Sequence, residues 1–387
     1  MCIRDRSKYT KRKSFTIHKK IYFSSVDKFG KFQTKLKRNK LKNILFIVDE
    51  ASMISDSNSS SDLFNRKSIL SDIFKYVDFE TNSKLIFLGD IAQLPPVKQL
   101  SSPALDHEYL FENHGIKSSN FTLSNVVRQS ESSGILLNAT EIRNKIFNNE
   151  LSFDFKLFQD VEILSDGHEI QEKIESSYNK TGLNNTLIVV RSNKRANLYN
   201  QQIRKTILFN ENIISAGDLL IITKNNYFWS SEDQNISFLA NGDIIEILEI
   251  YSIKEIYGFK FAEIKIKLVD YANEPLLDTV ILLDNLNSDN PSMTYEQSNL
   301  LYNEVQKDYS NIKSKYKRFI KTKENPFFNA LNVKFSYALT CHKSQGGQWK
   351  TVFIEKPYLK EGVTVEYLRW LYTAVTRAEK NLYLIGF

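Results

Sequence analysis

Two adjacent carboxylates, Asp49 and Glu50, follow a short apolar run at residues 45–48. Enzymes that hydrolyse nucleotides use such a strand-end pair to hold magnesium and to prepare a water molecule for attack. The pair is weak evidence by itself, because an acidic pair after a strand is often a helix cap. A glycine-rich loop that cradles phosphates should accompany it if the pair acts on a nucleotide.

A second apolar run, residues 85–88, ends in Gly89 and Asp90, and Gln93 follows shortly after. A neutral amide can hydrogen-bond both a γ-phosphate oxygen and its water, so Gln93 can sense the state of a nucleotide. The plain alternative is a strand-to-loop turn that Pro95 and Pro96 stiffen. Both runs are typical of buried parallel strands with functional residues at their carboxyl ends.

A third group of polar residues lies between two apolar strands near the end of the chain and is predicted to form a polar loop. Its hydroxyls, cation and amide suit contact with a phosphate backbone or a triphosphate. The group ends in two glycines, where backbone can approach a ligand closely. Its members are Thr340, His342, Lys343, Ser344, Gln345, Gly346 and Gly347.

Arg377 follows the apolar segment "YTAVT" and is predicted to lie on a helix, from which it would reach across a cleft as an arginine finger. A single Arg in such a helix is more often a surface ion pair.

The elements that must position these residues alternate between strand and helix, which predicts α/β architecture. From about residue 216 the pattern changes to β-rich segments with Asn-Gly and Asn-Asn turns, typical of a small β-barrel or SH3-like module. A helical linker at 294–320 follows, and the α/β pattern then returns. We therefore predict a barrel inserted in a second α/β domain.

Charge is unevenly distributed along the 387 residues. The net charge is +7, and residues 1–48 hold 15 Lys or Arg against two Asp, or 15 − 2 = +13, so the rest carries 7 − 13 = −6. A basic end suggests a polyanionic partner, although the charge run by itself slightly favours a solvated, partly disordered tail. The opening "MCIRDR" resembles a foreign join. The sequence shows no stretch of 18 apolar residues and no signal peptide, so we expect a cytoplasmic protein without a membrane partner.

Five stretches together resemble the ordered motifs of superfamily-one DNA helicases of the RecD/Dda type. They are "FIVDEASM", "LGDIAQLPPV", "LSNVVRQS", "ALTCHKSQGGQW" and "LYTAVTRAEKNLYLIG". The resemblance implies two RecA-like P-loop NTPase domains, the first one incomplete, with an SH3-like β-barrel in the second. The expected boundaries are 1–13 for a tail, 14–128 for the first domain, 129–215 and 331–387 for the second, and 216–330 for the barrel and linker.

The resemblance also implies roles for individual residues. Asp49 would hold magnesium, Glu50 would orient the attacking water, and Gln93 would couple the γ-phosphate to movement. The remaining assignments are Arg128 and Arg377 for the γ-phosphate, Asp90, Gln345 and Gly346 for the nucleotide, and Thr16, His18, Thr340, His342 and Lys343 for DNA. Residues 19–42 correspond to a strand-splitting pin hairpin, in which Phe32 could stack on the junction base pair. Inward packing of Phe32 as a small core under the loop is an equally favoured alternative.

The glycine-rich loop is absent from these 387 residues. None of the 13 glycines fits G-x-x-x-x-G-K-[ST], and the sole Gly-Lys pair, Gly30-Lys31, precedes Phe32. Family members carry that loop upstream of a "TIH" motif like that at residues 16–18, so we expect a truncated gene.

The leading hypothesis is a 5′-to-3′ ATP-dependent DNA helicase that uses ATP and Mg²⁺, acts on single-stranded DNA and duplex forks, and works with replication or recombination proteins. As given, it should hydrolyse ATP poorly. The alternatives are a non-catalytic DNA-binding helicase-like subunit and, more distantly, a structural assembly protein.

Overall fold

The computed structural model describes residues 14–26, 32–56, 68–97, 99–123, 133–229, 238–269, 271 and 275–387. The predicted tail at 1–13, Arg128 and Gly30 lie outside these residues. The described chain divides into two compact units. The first comprises residues up to Lys156 together with Leu359–Thr376, and the second comprises Leu157–Tyr358 with Arg377–Phe387.

The regular elements are numbered in chain order. The helices are α1 Ile17–Ile21, α2 Ile69–Val77, α3 His107–His114, α4 Gly134–Asn148, α5 Gly167–Thr181, α6 Asn193–Thr206, α7 Tyr295–Lys307, α8 Lys315–Lys323, α9 Cys341–Ser344 and α10 Val365–Val375. The strands are β1 Tyr22–Val26, β2 Phe32–Leu36, β3 Leu45–Val48, β4 Lys84–Phe87, β5 Val161–Leu164, β6 Thr186–Val190, β7 Leu219–Ile222, β8 Ile244–Ile256, β9 Phe259–Leu268, β10 Leu276–Leu282, β11 Leu331–Phe335, β12 Ala338–Thr340, β13 Trp349–Glu355 and β14 Ala378–Ile385. Among the described residues, no helix has the length and apolar character needed to cross a bilayer.

The first unit contains two small sheets. Strands β1 and β2 pair antiparallel within the segment for which the sequence predicts a hairpin, and Tyr22 lies opposite Leu36. Strands β3 and β4 pair parallel, in register from Leu45 with Lys84 to Val48 with Phe87. Helix α2 covers one face of this parallel pair, because its apolar residues recur at helical spacing and are buried.

The prediction that β3 and β4 are buried was wrong for one of their faces. Side chains alternate between the two faces of a strand. Phe46, Val48, Leu85 and Phe87 pack against the core with α2. The opposite face is apolar but exposed, and its members Leu45, Ile47, Ile86 and Leu88 are 42–60% exposed. No described element covers that face.

The second unit contains a five-stranded, wholly parallel sheet in the order β12-β6-β13-β14-β5. Every residue of β6 is buried, as expected for the centre of a parallel sheet with both faces covered. Helices α5 and α6 are crossovers of the βαβ type, and each begins at a side-chain cap, Asp166 and Ser192 respectively. The predicted α/β architecture with a parallel sheet is confirmed.

The barrel interrupts this sheet between α6 and β12. It is closed by five strands in the order β10-β11-β7-β8-β9, and α7 and α8 lie between β10 and β11. The tight turn between β8 and β9 uses Tyr257 and Gly258, both with positive φ. A β-barrel inserted in the parallel-sheet unit is thus confirmed. Its last strand, β11, lies beyond the predicted boundary at residue 330.

A polar face of α6 fastens the barrel to the sheet. Arg204 donates through Nε and Nη2 to the two carboxylate oxygens of Asp218, both at 2.9 Å, immediately before β7. The hydroxyl of Tyr337 donates to the same carboxylate at 3.1 Å. Asn200 donates to the carbonyl oxygens of Phe335 and Ala338 and accepts from the Ala338 N–H. The chain enters the barrel just before β7 and leaves it between β11 and β12. Buried hydrogen bonds from α6 therefore hold both of these connections.

Candidate nucleotide and nucleic-acid site

The carboxyl ends of β3 and β4 lie against each other, which brings the segments after the two strands together. The Ala51 N–H donates to the carbonyl oxygen of Leu88 at 2.8 Å. Gly89 packs so closely here that an added Cβ would lie 2.9 Å from the Ser52 nitrogen. Only glycine permits this approach. The predicted carboxylate pair and the segment of Asp90 therefore share one edge of the sheet.

The backbone at the carboxylate pair is unusual. Glu50 has a φ of +52°, in the left-handed region that non-glycine residues rarely occupy. The Asp49 carboxylate accepts the Glu50 N–H through Oδ1 at 2.7 Å. Such backbone conformations are concentrated at functional sites, because a surrounding structure must hold them in place. Both side chains are partly buried.

Asp90 is held by two helices. The hydroxyl of Tyr372, on α10, donates to Oδ2 at 2.7 Å, and Arg143, on α4, forms an ion pair with Oδ1. Arg143 Nη1 also lies 3.3 Å from the Tyr372 hydroxyl, which completes a triangle. Burial, followed by the charge of Asp90, raises the pKa of Tyr372 to about 12, so this hydroxyl keeps its proton. Asp90 was predicted to bind nucleotide, and its oxygens are engaged by these protein groups.

Helix α10 contacts the rest of the segment 90–94, which carries Gln93. Thr373 accepts the Leu94 N–H at 2.9 Å through Oγ1, and Arg369 donates to the carbonyl oxygen of Ile91. Arg369, Tyr372 and Thr373 are spaced three and four residues apart, so they lie on one helix face. We call these three residues with Arg143 the clamp. The clamp was not predicted from the sequence, and the polar spacing on α10 is its only local signal.

The clamp leaves two buried polar atoms without partners. The Gln93 Oε1 and the Arg369 Nε have no hydrogen-bond partner among the described residues. Buried groups of this kind cost free energy unless something pairs with them. Gln93 therefore presents a buried acceptor, which fits the predicted contact with a nucleotide and its water.

In the second unit, the predicted polar loop is in fact one helical turn, α9. Thr340 ends β12, and His342 is exposed on α9. The Ser344 hydroxyl donates to the carbonyl oxygen of Cys341 at 2.8 Å within this turn. Gly346 follows with a φ of +79°, a conformation that glycine adopts without strain.

Lys343 lies beside a second cation. Its Nζ is 3.5 Å from the carbonyl oxygen of Pro291, and burial, followed by the charge of Lys334, lowers its pKa to about 7. Lys334 donates to the carbonyl oxygens of Asn285 and Ser288, and burial lowers its pKa to about 8. Burial and the neighbouring charge thus disfavour the charged form of Lys343, which would gain from an anion.

The prediction that Arg377 lies on a helix was wrong. Helix α10 ends at Val375, and the Arg377 carbonyl oxygen accepts the Trp349 N–H at 3.0 Å, because the chain is joining the parallel sheet as β14. The guanidinium is 4% exposed and lies 3.1 Å from the carbonyl oxygen of Gly347 and 3.5 Å from that of Ser344. In this arrangement Arg377 supports the turn that contains Gln345 and Gly346.

Two predicted DNA contacts lie at the start of α1. Thr16 is its cap and accepts the Lys19 N–H at 3.2 Å. The ring centroid of His18 is 5.6 Å from that of Tyr22. Phe32 is the first residue of β2 and pairs with Val26 across the hairpin. The roles predicted for these residues, and for Arg128, stay predictions.

Residues 335–385 match the UvrD-like helicase C-terminal domain. The similarity to this helicase domain concerns this segment of the chain. The match includes β12, α9, β13, α10 and β14, which carry the last two motifs found in the sequence.

Two curated relatives are similar over nearly the whole chain. One is uncharacterized protein R530 of Acanthamoeba polyphaga mimivirus, 26% identical over 98% of this chain and 83% of the relative. The other is uncharacterized protein MJ1519 of Methanocaldococcus jannaschii, 27% identical over 96% of this chain but only 32% of the relative. Among solved structures, the Pif1 helicase from Bacteroides in complex with ADP-AlF3 and single-stranded DNA is 14% identical, with a TM-score of 0.41, and covers 94% of this chain and 76% of that one.

Proposed function

We propose that this chain forms the motor part of an ATP-dependent DNA helicase that moves 5′ to 3′ along single-stranded DNA. The observation that carries the proposal is the position of the UvrD-like match, because residues 335–385 contain Thr340, His342, Lys343 and Arg377 together. ATP and Mg²⁺ are its cofactors, single-stranded DNA and the duplex fork its substrates, and the cytoplasm its location.

The strand ends of the first unit supply the groups for hydrolysis. Asp49 holds Mg²⁺, Glu50 orients the attacking water, and Gln93 contacts the γ-phosphate. Among the described residues, no group of three or more His, Cys, Asp or Glu is able to hold a metal by itself. Mg²⁺ in nucleotide sites is bound by one or two carboxylates together with substrate phosphates, so a single strand-end carboxylate fits it.

Arg128 and Arg377 contact the γ-phosphate in this proposal, while Asp90, Gln345 and Gly346 shape the nucleotide site. Arg377 now lies against the carbonyl oxygens of Gly347 and Ser344. Its role at the phosphate therefore requires that it exchange these carbonyls for phosphate oxygens. A charge-assisted hydrogen bond is about twice as strong as a neutral one, which favours that exchange when nucleotide is present.

Thr16, His18, Thr340, His342 and Lys343 contact the DNA backbone. The exposure of His342 and the lowered pKa of Lys343 support a site that takes up an anion. Phosphate contacts of this kind position a strand without reading its sequence.

A second candidate function is a non-catalytic subunit that binds single-stranded DNA. One observation favours it: Arg377 is turned inward. Hydrolysis also needs a phosphate-binding G-x-x-x-x-G-K-[ST] loop. Without the loop, a nucleotide lacks the backbone amides and the Lys that cradle its phosphates.

One pair of experiments separates the two functions. Fluorescence anisotropy with a labelled oligonucleotide measures single-stranded DNA binding, and phosphate release measures turnover. We expect the 387-residue chain to bind DNA with little turnover. The chain joined to a segment that supplies a phosphate loop should show DNA-stimulated turnover, and Glu50→Gln in that protein should abolish turnover while nucleotide still binds. Binding without turnover in the joined protein supports the non-catalytic function. Absence of DNA binding overturns both.

The pin proposal has a separate test in the same joined protein. Phe32→Ala should reduce duplex unwinding while DNA-stimulated ATP hydrolysis survives, because an aromatic ring at the fork stacks on an exposed base. If both activities fall together, Phe32 supports the fold and is not a pin residue. Unwinding of substrates with only a 5′ or only a 3′ single-stranded tail tests the direction.

A further inference from the structure

The segment that leads into and forms α8 concentrates positive charge. Residues 313–323 contain six Lys or Arg and no acid. Residues 49–387 carry a net charge of −6, so the remainder of that part carries −6 − 6 = −12. A cluster of +6 within an acidic body is the electrostatic pattern of a polyanion-binding surface.

The placement of these cations works against the helix that bears them. Helix α8 is capped by Ser314, and its first turn holds no acidic residue. Lys313, Lys315 and Lys317 surround this N-terminus, where the aligned peptide dipoles concentrate positive charge and disfavour further cations. Helix stability therefore gives no reason for three lysines here. An anionic ligand does.

These lysines also lack the carboxylate partners that other lysines of this unit have. Lys173, for example, pairs with Glu162, and Lys254 pairs with Glu263, each at 2.8 Å. Lys313, Lys315 and Lys317 are exposed, and no carboxylate of the described residues lies within ion-pair distance of them. Within α8 itself, Lys321 pairs with Glu324 at 2.8 Å.

An aromatic side chain stands among the lysines. Tyr316 is 68% exposed, whereas Phe319 and Thr322, on the other side of α8, are buried. Hydrogen bonds anchor the C-terminal end of α8 to the barrel. Asn329 donates to the carbonyl oxygen of Lys323 at 2.7 Å, and the carbonyl oxygen of Asn329 accepts from Trp229 Nε1 at 2.9 Å. An exposed aromatic ring between cations is suited to an unpaired base with its phosphates.

We infer that Lys313, Lys315, Tyr316 and Lys317, here called the α8 surface, bind single-stranded nucleic acid as a contact additional to Thr340, His342 and Lys343. The inference rests on the proposed function, which brings single-stranded DNA to the same unit. The lysines pair with phosphates and Tyr316 stacks on a base. A duplex offers no free base face to Tyr316, and an anionic membrane offers no base at all.

The main test removes the three lysines from the 387-residue chain. Lys313→Gln, Lys315→Gln and Lys317→Gln together should lower the slope of log affinity against log salt concentration by about 2, since each contact with single-stranded phosphate contributes roughly 0.7. The ratio of wild-type to variant affinity should then grow about fourfold with each halving of the salt concentration. The matched control is Lys180→Gln, Lys194→Gln and Lys205→Gln, which removes the same charge from exposed positions of the same unit. We expect its slope to equal that of the wild type.

Tyr316 supplies the second arm. Tyr316→Ala should weaken binding of single-stranded DNA by about fivefold or more, and Tyr316→Phe should restore it, because stacking needs the ring and not the hydroxyl. Duplex DNA and vesicles with anionic lipid serve as competing probes. Equal sensitivity of either probe to Tyr316→Ala overturns the assignment to single strands. A wild-type chain that binds no DNA defeats the proposed function, whereas a binding chain whose slope the triple variant leaves unchanged defeats this inference alone.

Discussion

Replacement of Tyr372 by Phe tests whether the clamp holds the segment that carries Gln93. The substitution removes one hydroxyl and keeps the ring, so it deletes the 2.7 Å hydrogen bond to Asp90 without opening a cavity. Tyr372 is only 8% exposed, and its acceptor is a carboxylate. A buried hydrogen bond to a charged group contributes about 1.5–3 kcal/mol, and Arg143 still neutralises Asp90 in the variant. We therefore expect a loss of about 2 kcal/mol.

Urea unfolding and hydrogen exchange of the amides at residues 91–94 measure this loss. Tyr251→Phe is the control, since it removes a similar hydroxyl-to-carboxylate bond, to Asp278, at an exposed position, and should cost less than about 1 kcal/mol. The decisive comparison is a cycle with Asp90→Ala. In that background Tyr372→Phe should cost less than about 0.5 kcal/mol. An equal cost in both backgrounds would refute the clamp.

Three further predictions concern titration and buried charge. Burial, with a neighbouring cation, lowers the pKa of Lys343 to about 7. Affinity for single-stranded DNA should therefore fall between about pH 6 and about pH 8.5, by at most about 2 kcal/mol. Lys343→Met should flatten this pH profile in anisotropy titrations. Burial raises the pKa of Asp56, but hydrogen bonds from neighbours including His114 outweigh this effect and lower that pKa. The stability that the lowered pKa gives is present above the unfolded pKa near 4 and is lost as the pH falls through the folded value. Asp56→Asn should remove this loss of stability at acid pH, measured as the urea midpoint. Asp218→Ala should cost about 3–5 kcal/mol, because it leaves the buried Arg204 guanidinium uncompensated, and adding Arg204→Met should recover part of that loss in the same assay.

Local patterns predicted the elements well. The apolar run at 186–190 and the polar, helically spaced residues after it specify a strand and a crossover helix without outside help. The barrel was predicted from a change in the spacing of apolar residues, from helical to strand-like, with turn residues between the segments. The exposure of one face of β3 and β4 was not predictable from the sequence. A parallel strand that is covered on one face has the same continuous run of apolar residues as one that is covered on both.

The site was harder to predict because its contacts are distant in sequence. Asp90 lies 53 residues from Arg143 and 282 from Tyr372, so no local pattern encodes their triangle. The helical spacing of α10 also continues towards Arg377, but pairing with β13 ends the helix first. Residue type predicted which groups are able to do chemistry. The tertiary structure decides which of them are held inward.

The barrel enters and leaves the sheet unit at one place. Strands β7 and β11, its first and last, are hydrogen-bonded neighbours, with Leu220 opposite Phe335 and Ile222 opposite Val333. Segments between them, such as α7 and α8, can lengthen, shorten or be exchanged without moving the ends that the sheet receives, because the closure is local. The barrel segments can therefore vary while the two chain connections to the parallel sheet stay in place. Grafting the α7–α8 segment of another protein between β10 and β11 is therefore a practical way to give this sheet a different binding surface.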